Sequence, residues 1–326
     1  MKKSLLQKFL IASIFTGICT TNALAEHSFK LAYALSKDSH YGVAAHALEE
    51  KLDEIAPKEF KVEHFANSTL GGEREVIEGI QLGTIDAAIV STGAVLNFVP
   101  QVGVFDIPFL FRDLQHARKV LDGKIGQDLL KEFEQRNIIA LAWGEQGFRH
   151  LTNNKRAVKT PEDAKGLKIR TTENDVHIQA FKALGILATP MAWPEVAPAL
   201  QQGTVDGQEN PISVIVSMKL NQIQKYLSLT GHVYSPALVL FSPSFYNNLT
   251  PENQEKLKEA TKVAVVAMRK YVDEVEASGV KTLKEAGMNV TEDVNRAAFA
   301  KIVKGIYPDY YKRYSKELID SIANTE

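Results

Sequence analysis

Two hydrophobic rhythms alternate from residue 29 to residue 90. Phe29–Leu35, Phe60–Phe65 and Ile85–Val90 are apolar runs of strand length, while Tyr41–Ile55 and Glu73–Leu82 repeat their apolar positions every three or four residues. The second spacing gathers side chains on one face of a helix, so the order is βαβαβ. Such alternation predicts a largely parallel sheet with helices on its faces. It resumes after the strand-like run Ile138–Trp143. Leu167–Arg170 and Ala188–Met191 are strands, Val176–Leu184 is a helix between them, and a second helix starts near Glu195. Two α/β lobes suit a chain of 326 residues better than one.

Helix starts are well marked. Thr160-Pro161-Glu162-Asp163 and Thr250-Pro251-Glu252 each set a hydroxyl cap before a first-turn proline, with acids following. The second opens a long helix with Leu257, Ala260, Ala264, Met268, Tyr271 and Val275 along one face. A helix of some 25 residues is about 38 Å long, enough to span both lobes. Tyr226–Ser242 is long and β-rich, the pattern of a strand crossing between lobes as a hinge. Val294–Ile322 is predicted to add further helix.

The first 25 residues have the form of an export signal. Lys2 and Lys3 precede the apolar core Phe9–Ile18, which is too short to span a bilayer, and Ala23-Leu24-Ala25 supplies a small-x-small cleavage pattern. Cleavage is expected after Ala25, into the periplasm. Cys19 is the single cysteine, so the mature chain has no disulfide or thiolate chemistry and must stand on its core. Loss of Lys2, Lys3 and Lys8 removes three positive charges from a net −1, leaving −4. That surface does not favour nucleic acid.

The chemistry concentrates between Gly166 and Pro211. Arg170 ends a short strand, Met191-Ala192-Trp193 follows another, and Asp206-Gly207-Gln208-Glu209-Asn210-Pro211 is predicted as a polar turn entering a helix. A fixed cation, a flat aromatic and a carboxamide at strand ends suit a small anionic solute. Catalytic signatures are missing. The sequence has no G-x-S-x-G elbow, no P-loop, no G-x-G-x-x-G and no H-E-x-x-H, and its eight histidines are scattered singly. Neither a catalytic set nor a metal or cofactor is expected.

Several of these motifs, in order, resemble the TRAP-transporter (tripartite ATP-independent periplasmic) solute-binding proteins. They are Ser68-Thr69-Leu70-Gly71-Gly72, Gly83-Thr84-Ile85-Asp86, Ile107–Asp113, Gly147-Phe148-Arg149, Pro161–Arg170, Pro190–Trp193 with Glu195-Val196, Ala199–Gly203 and Asp206–Pro211. The resemblance covers nearly the whole mature chain. It implies an α/β two-lobe periplasmic binding protein fold with a cleft between the lobes, hinge strands and a long helix spanning both. The expected division is 26–147 plus about 236–275 for lobe I, and 148–235 plus about 276–326 for lobe II. It also implies capture of an organic anion and its delivery to a separate membrane permease; the protein itself is expected to be a monomer.

In that family Arg170 matches the principal carboxylate-binding arginine, a role suited to a planar fork that keeps its charge. Arg149 matches a second arginine, Asn210 a residue bonding the carboxylate side, and Trp193 an aromatic packed over the solute. Ser91 and Thr92 end a strand where members place polar contacts; Glu73, His40 and Tyr234 fall on matching loops. After Arg170 the run Thr171-Thr172-Glu173-Asn174 departs from a simple dicarboxylate pattern. Glu173 would repel a second carboxylate, and Glu73 and Glu173 suit hydroxyl donors. The expected solute is therefore a sugar acid, a uronate or aldonate, with a C4-dicarboxylate as the alternative. A secreted enzyme acting on sugar acids and a partner of a membrane sensor stand as rival classes.

Overall fold

We describe the protein from a computed structural model over residues 27–326. The expected signal segment, with Cys19 and the Ala25 cleavage position, lies outside the described residues. The first half runs β1 (His27–Tyr33), α1 (His40–Ile55), β2 (Phe60–Phe65), α2 (Glu73–Leu82), β3 (Ala87–Ser91) and the short α3 (Thr92–Val95). A 3-10 turn, α4 (Leu114–Asp122) and α5 (Lys124–Lys131) lead into the long β4 (Ile139–Asn153). The second half continues α6 (Pro161–Ala164), β5 (Lys168–Thr171), α7 (Asp175–Ala183), β6 (Leu187–Pro190) and α8 (Trp193–Gln202). It then passes through β7 (Gly207–Pro211) and α9 (Ile212–Ser217) to the long β8 (Tyr226–Phe241). The remainder is helical except for one strand: α10 (Pro243–Tyr246), α11 (Pro251–Glu285), β9 (Asn289–Thr291), α12 (Arg296–Lys304), α13 (Tyr307–Tyr314) and α14 (Lys316–Ala323).

The strands form one sheet in the order β2-β1-β3-β8-β4-β7-β5-β6, with β9 beside β8. Pairing is parallel within β2-β1-β3 and within β7-β5-β6, as the two runs of alternation predict. The two blocks are joined by β8 and β4, antiparallel to each other and to β3 and β7 respectively. The expected crossing strand is β8, and β4 is a second one. Their register slips at Ala140/Ala142, Glu145/Gly147 and Arg149/Leu151. The middle slip carries Gly147 at φ 110°, a conformation open to glycine. Bulges of this kind bend a strand and increase its local twist.

Two strands differ from their sequence patterns. The apolar run that predicts β4 ends at Trp143, but the strand continues to Asn153, because Glu145, Gln146, Arg149, His150 and Thr152 are buried and bonded within the fold. Asp206–Pro211, expected as a turn, contains β7, whose five residues are all buried. A polar sequence can form a central strand when its side chains find partners, and β7 gets them from Arg149, Thr152 and His232.

The first block packs α1 and the front of α11 against its strands, with Phe29, Leu31, Leu48, Leu52, Leu257 and Met268 in one core. Ile169, Phe181, Leu184, Phe299 and Val303 build a separate core in the second block. The 35-residue α11 is about 52 Å long at 1.5 Å per residue. Its start packs on α1, and its end reaches α9, where Leu283 joins Ile212 and Ile215. At Gly279 a Cβ would stand 2.5 Å from Ile212 Cγ2, so only glycine lets the two helices close. Residues 276–326 do not stay on one side. α12 packs on the second block, whereas Tyr310, Tyr314, Ile319 and Ile322 join Val76, Val102 and Phe105 of the first. Arg112 pins that return by donating to the carbonyls of Ala323 and Thr325, each at 2.6 Å.

Candidate functional site

The strand ends of the two blocks meet around a cavity lined by Ala34, Leu35, Tyr41, Glu73, Ser91, Gln146, Arg149, Arg170, Thr172, Trp193, Asn210 and Val214. Six of the ten expected residues line it: Arg170, Arg149, Asn210, Trp193, Ser91 and Glu73.

Arg170 stands at the carboxyl end of β5 and is 3% exposed. Its Nε and Nη2 donate to the Met191 carbonyl at 3.1 and 2.8 Å, and its guanidinium lies 5.6 Å from the centre of the Trp193 ring. Those contacts fix the plane of the group and leave Nη1 and the second Nη2 hydrogen as a fork for a carboxylate. Burial pushes its pKa down to about 10, so it stays cationic at neutral pH. Trp193 is half-buried at the first position of α8, where Pro194 follows.

Arg149 is a different kind of arginine. Its Nε donates to Glu209 Oε2 at 2.5 Å, and its Nη2 to Oε1 at 2.9 Å and to the Glu209 carbonyl at 2.7 Å. Burial alone would raise the Glu209 carboxyl, but Arg149 and the His232 hydrogen bond hold it well below the usual carboxylate range. The pair is fully buried, so the Arg149 charge is already answered from β7. Its Nη1 makes only a long contact to Ser235 Oγ at 3.4 Å.

Glu73 opens α2 and is held by Ser91, whose backbone N–H donates at 2.9 Å and whose hydroxyl also donates. Burial raises its pKa, opposed by Ser91, Arg170 and Arg149. Asn210 Nδ2 donates to Gln208 Oε1 at 2.5 Å. Tyr41, Gln146 and Thr172 complete the polar lining. Sequence reasoning misses them, since Tyr41 reads as one more apolar position of α1. Gln146 Nε2 donates to the Tyr41 hydroxyl at 2.6 Å, tying the two blocks at the cavity wall.

The other four expected residues lie elsewhere. Thr92 is fully buried and donates to Asp106 Oδ1 at 2.7 Å. Tyr234 is buried in the apolar core beside Phe111 and Phe148, its hydroxyl on Glu145 Oε2 at 3.0 Å. His40 is fully buried against Tyr41, and burial lowers its pKa to about 3. Glu173 is exposed on the neighbouring rim with Arg74 and Ala192, and its carbonyl accepts from Asn97 at 3.0 Å. For Thr92, Tyr234 and His40 packing or a nearer partner claims the side chain, whereas that of Glu173 is exposed.

Asp106 links the blocks just below the cavity. It accepts from Thr92 of α3 and from Asn174, the cap of α7, at 2.7 and 3.0 Å, and His177 stands 3.9 Å away. Burial pushes its carboxyl up to about 7.

Two α/β lobes joined by crossing strands and a long helix, around a polar cavity with a free guanidinium edge, define a two-lobe solute-binding protein. The chain belongs to the DctP family, bacterial extracellular solute-binding protein family 7, whose family pattern matches residues 31–314. The expected TRAP-transporter kinship and fold are thereby established. A solved TRAP periplasmic solute-binding protein from Bordetella bronchispeptica, with ligand density interpreted as pantoate, is 65% identical at a TM-score of 0.90, covering 92% of this chain and 99% of its own. One from Polaromonas sp. JS666 bound to D-erythronate is 49% identical, also at 0.90 and with the same coverage. The 2,3-diketo-L-gulonate-binding periplasmic protein YiaO of Escherichia coli is 40% identical over 281 residues, 86% of each chain. Among the described residues no helix is long and apolar enough to cross a membrane.

Proposed function

We propose that the cavity captures a small hydroxylated monocarboxylate, an aldonate or related sugar acid, and that the protein hands it to the permease of a TRAP transporter from the periplasmic side. The carrying observation is that the lining offers one guanidinium whose fork no other side chain has claimed. Arg149 is neutralised by Glu209, which leaves Arg170 as the guanidinium with a free fork, and Glu73 faces the same space. The fork accommodates one carboxylate, and a second would find no free guanidinium and would meet Glu73. Ser91, Tyr41, Gln146, Thr172 and Asn210 offer hydroxyl-scale partners around it. The related structures with pantoate and D-erythronate hold four-carbon-backbone monoacids bearing hydroxyls, in keeping with this reading.

In the proposed mechanism Arg170 clamps the carboxylate, Asn210 and Arg149 Nη1 stand beside it, and Trp193 covers the chain. Removing the anion from water strengthens each polar contact. Closure is a hinge movement about the bulges of β4 and β8. We assign 26–147 with about 236–275 to lobe I and 148–235 with the residues from about 276 to 306 to lobe II. The tail from Tyr307 is counted with lobe I because its aromatic residues pack there.

Calorimetric titration with D-erythronate, pantoate, galactonate, galacturonate and succinate tests the reading. Micromolar or tighter binding of at least one hydroxy monoacid, about −8 kcal/mol or better, is expected, with succinate weaker by tenfold or more. Preference for succinate would overturn the monocarboxylate assignment and favour the C4-dicarboxylate alternative.

A further inference from the structure

Away from the cavity, α1 and the edge strand β2 bring three metal-capable side chains together. His46 and Glu49 stand one turn apart on α1, and His64 projects toward them from β2. The Glu49 Oε2 atom is 3.0 Å from His64 Nε2 and 3.7 Å from His46 Nδ1, and all three candidate donor atoms lie within 4.8 Å of one another. The two imidazoles are stacked, with centroids 4.7 Å apart and planes 22° apart. None of the three lines the solute cavity.

We propose that His46, Glu49 and His64 form a surface site for a borderline divalent transition metal of the zinc class. Around a tetrahedral ion bonded at about 2.0–2.1 Å, neighbouring ligand atoms are separated by roughly 3.3 Å. The two measured separations to Glu49 bracket that value, so modest rotamer adjustment completes the triangle. Two imidazoles with one carboxylate is a donor set for Zn²⁺, Ni²⁺ or Cu²⁺ and not for Mg²⁺ or Ca²⁺, which take oxygen. The site also has a supporting partner: the Tyr33 hydroxyl of β1 lies 3.4 Å from His64 Nδ1, the nitrogen left over when Nε2 binds. Such a contact orients a ligating imidazole and tunes its affinity. Access is graded in a useful way. His64 is 8% exposed in its side chain, Glu49 35% and His46 47%, so the ion enters past His46 and keeps a fourth position toward solvent. A bound ion would clamp edge strand β2 to α1 with a stiffness that a histidine–glutamate hydrogen bond lacks.

This chemistry is not visible along the chain, because no spacing of the scattered histidines matches a metal motif. Only the parallel pairing of β1 with β2, which sets His64 beside Leu31, brings the β2 histidine under α1.

Untagged protein should bind one Zn²⁺ in equilibrium dialysis with micromolar or tighter affinity, and its Tm should rise saturably with ZnCl2. Co²⁺ should give the intense visible absorption of a four-coordinate ion, while Mg²⁺ and Ca²⁺ give no Tm shift. His46→Ala removes a largely exposed ring and should fold normally yet lose the stoichiometric ion. Tyr33→Phe should weaken Zn²⁺ about 10- to 100-fold. Millimolar or absent binding by the wild type overturns the proposal. So does stoichiometric binding of unchanged affinity by His46→Ala or by the His46→Ala/Glu49→Ala double variant.

Discussion

Replacing Arg170 is the sharpest perturbation the cavity offers. Its guanidinium is buried, fixed by two hydrogen bonds to the Met191 carbonyl and stacked near Trp193. The group therefore arrives at the solute already oriented, and little entropy is lost when the carboxylate docks. Truncating one partner of a buried, hydrogen-bonded charge pair costs about 2–5 kcal/mol. At about 1.4 kcal/mol per decade, Arg170→Ala should raise Kd roughly 30- to 4,000-fold. Arg170→Lys separates charge from geometry. A lysine keeps the cation but cannot hold Met191 and present a planar fork together, so it should recover only part of the loss. Calorimetry with the tightest hydroxy monoacid reads both variants, and thermal melts without ligand show whether each is folded. A folded Arg170→Ala protein that binds within threefold of wild type would refute the reasoning. Equal affinity of Arg170→Lys and wild type would refute the fork but leave the charge.

Two further outcomes follow from the groups around the cavity. Glu209→Gln strips the charge facing Arg149 and leaves a guanidinium buried without its counter-ion, which should destabilise the fold by about 3–5 kcal/mol in urea titrations; a loss below 1 kcal/mol would show that the pair is dispensable. Asp106 gives a pH signature of definite sign. Its folded pKa of about 7 stands above its ordinary 3.8, so the folded chain holds a proton that the unfolded chain releases, and stability falls as pH rises from about 4 to about 7. Asp106→Asn has no such proton, and its stability relative to wild type should rise by about 4 kcal/mol across that window, at about 1.4 kcal/mol per pKa unit. The buried histidines His40 and His150, lowered to about 3, push the opposite way in both proteins and cancel in the difference, whereas His177, 3.9 Å from Asp106, is replaced by Gln in both proteins for the comparison. A pH-independent difference would contradict the Asp106 assignment.

Much of this protein is written in its apolar spacing. The β1-α1-β2-α2-β3 block, the β5-α7-β6 block, the crossing strand β8 and the start of α11 follow from periodicity and caps, because those signals are local. Arg170 and Trp193 are also legible, since one short strand ends in Arg170 and another leads into Met191-Ala192-Trp193. What the sequence alone does not decide concerns polar residues whose meaning depends on partners far along the chain. The apolar signal stops at Trp143 and Asp206–Pro211 has the pattern of a turn, yet Gly144–Asn153 and Gly207–Pro211 are central strands because Arg149, Glu209, Thr152 and Gln208 satisfy one another across the β4–β7 pairing. The same pairing neutralises Arg149 and so sets the charge of the cavity. Thr92, Tyr234 and His40 sit at the right places in the chain but face inward, toward Asp106, Glu145 and Tyr41. Local sequence determines which elements form and which residue types stand at their ends. Only tertiary packing determines which of those residues keep a free hydrogen-bonding edge, because that depends on whether another part of the chain has already claimed it.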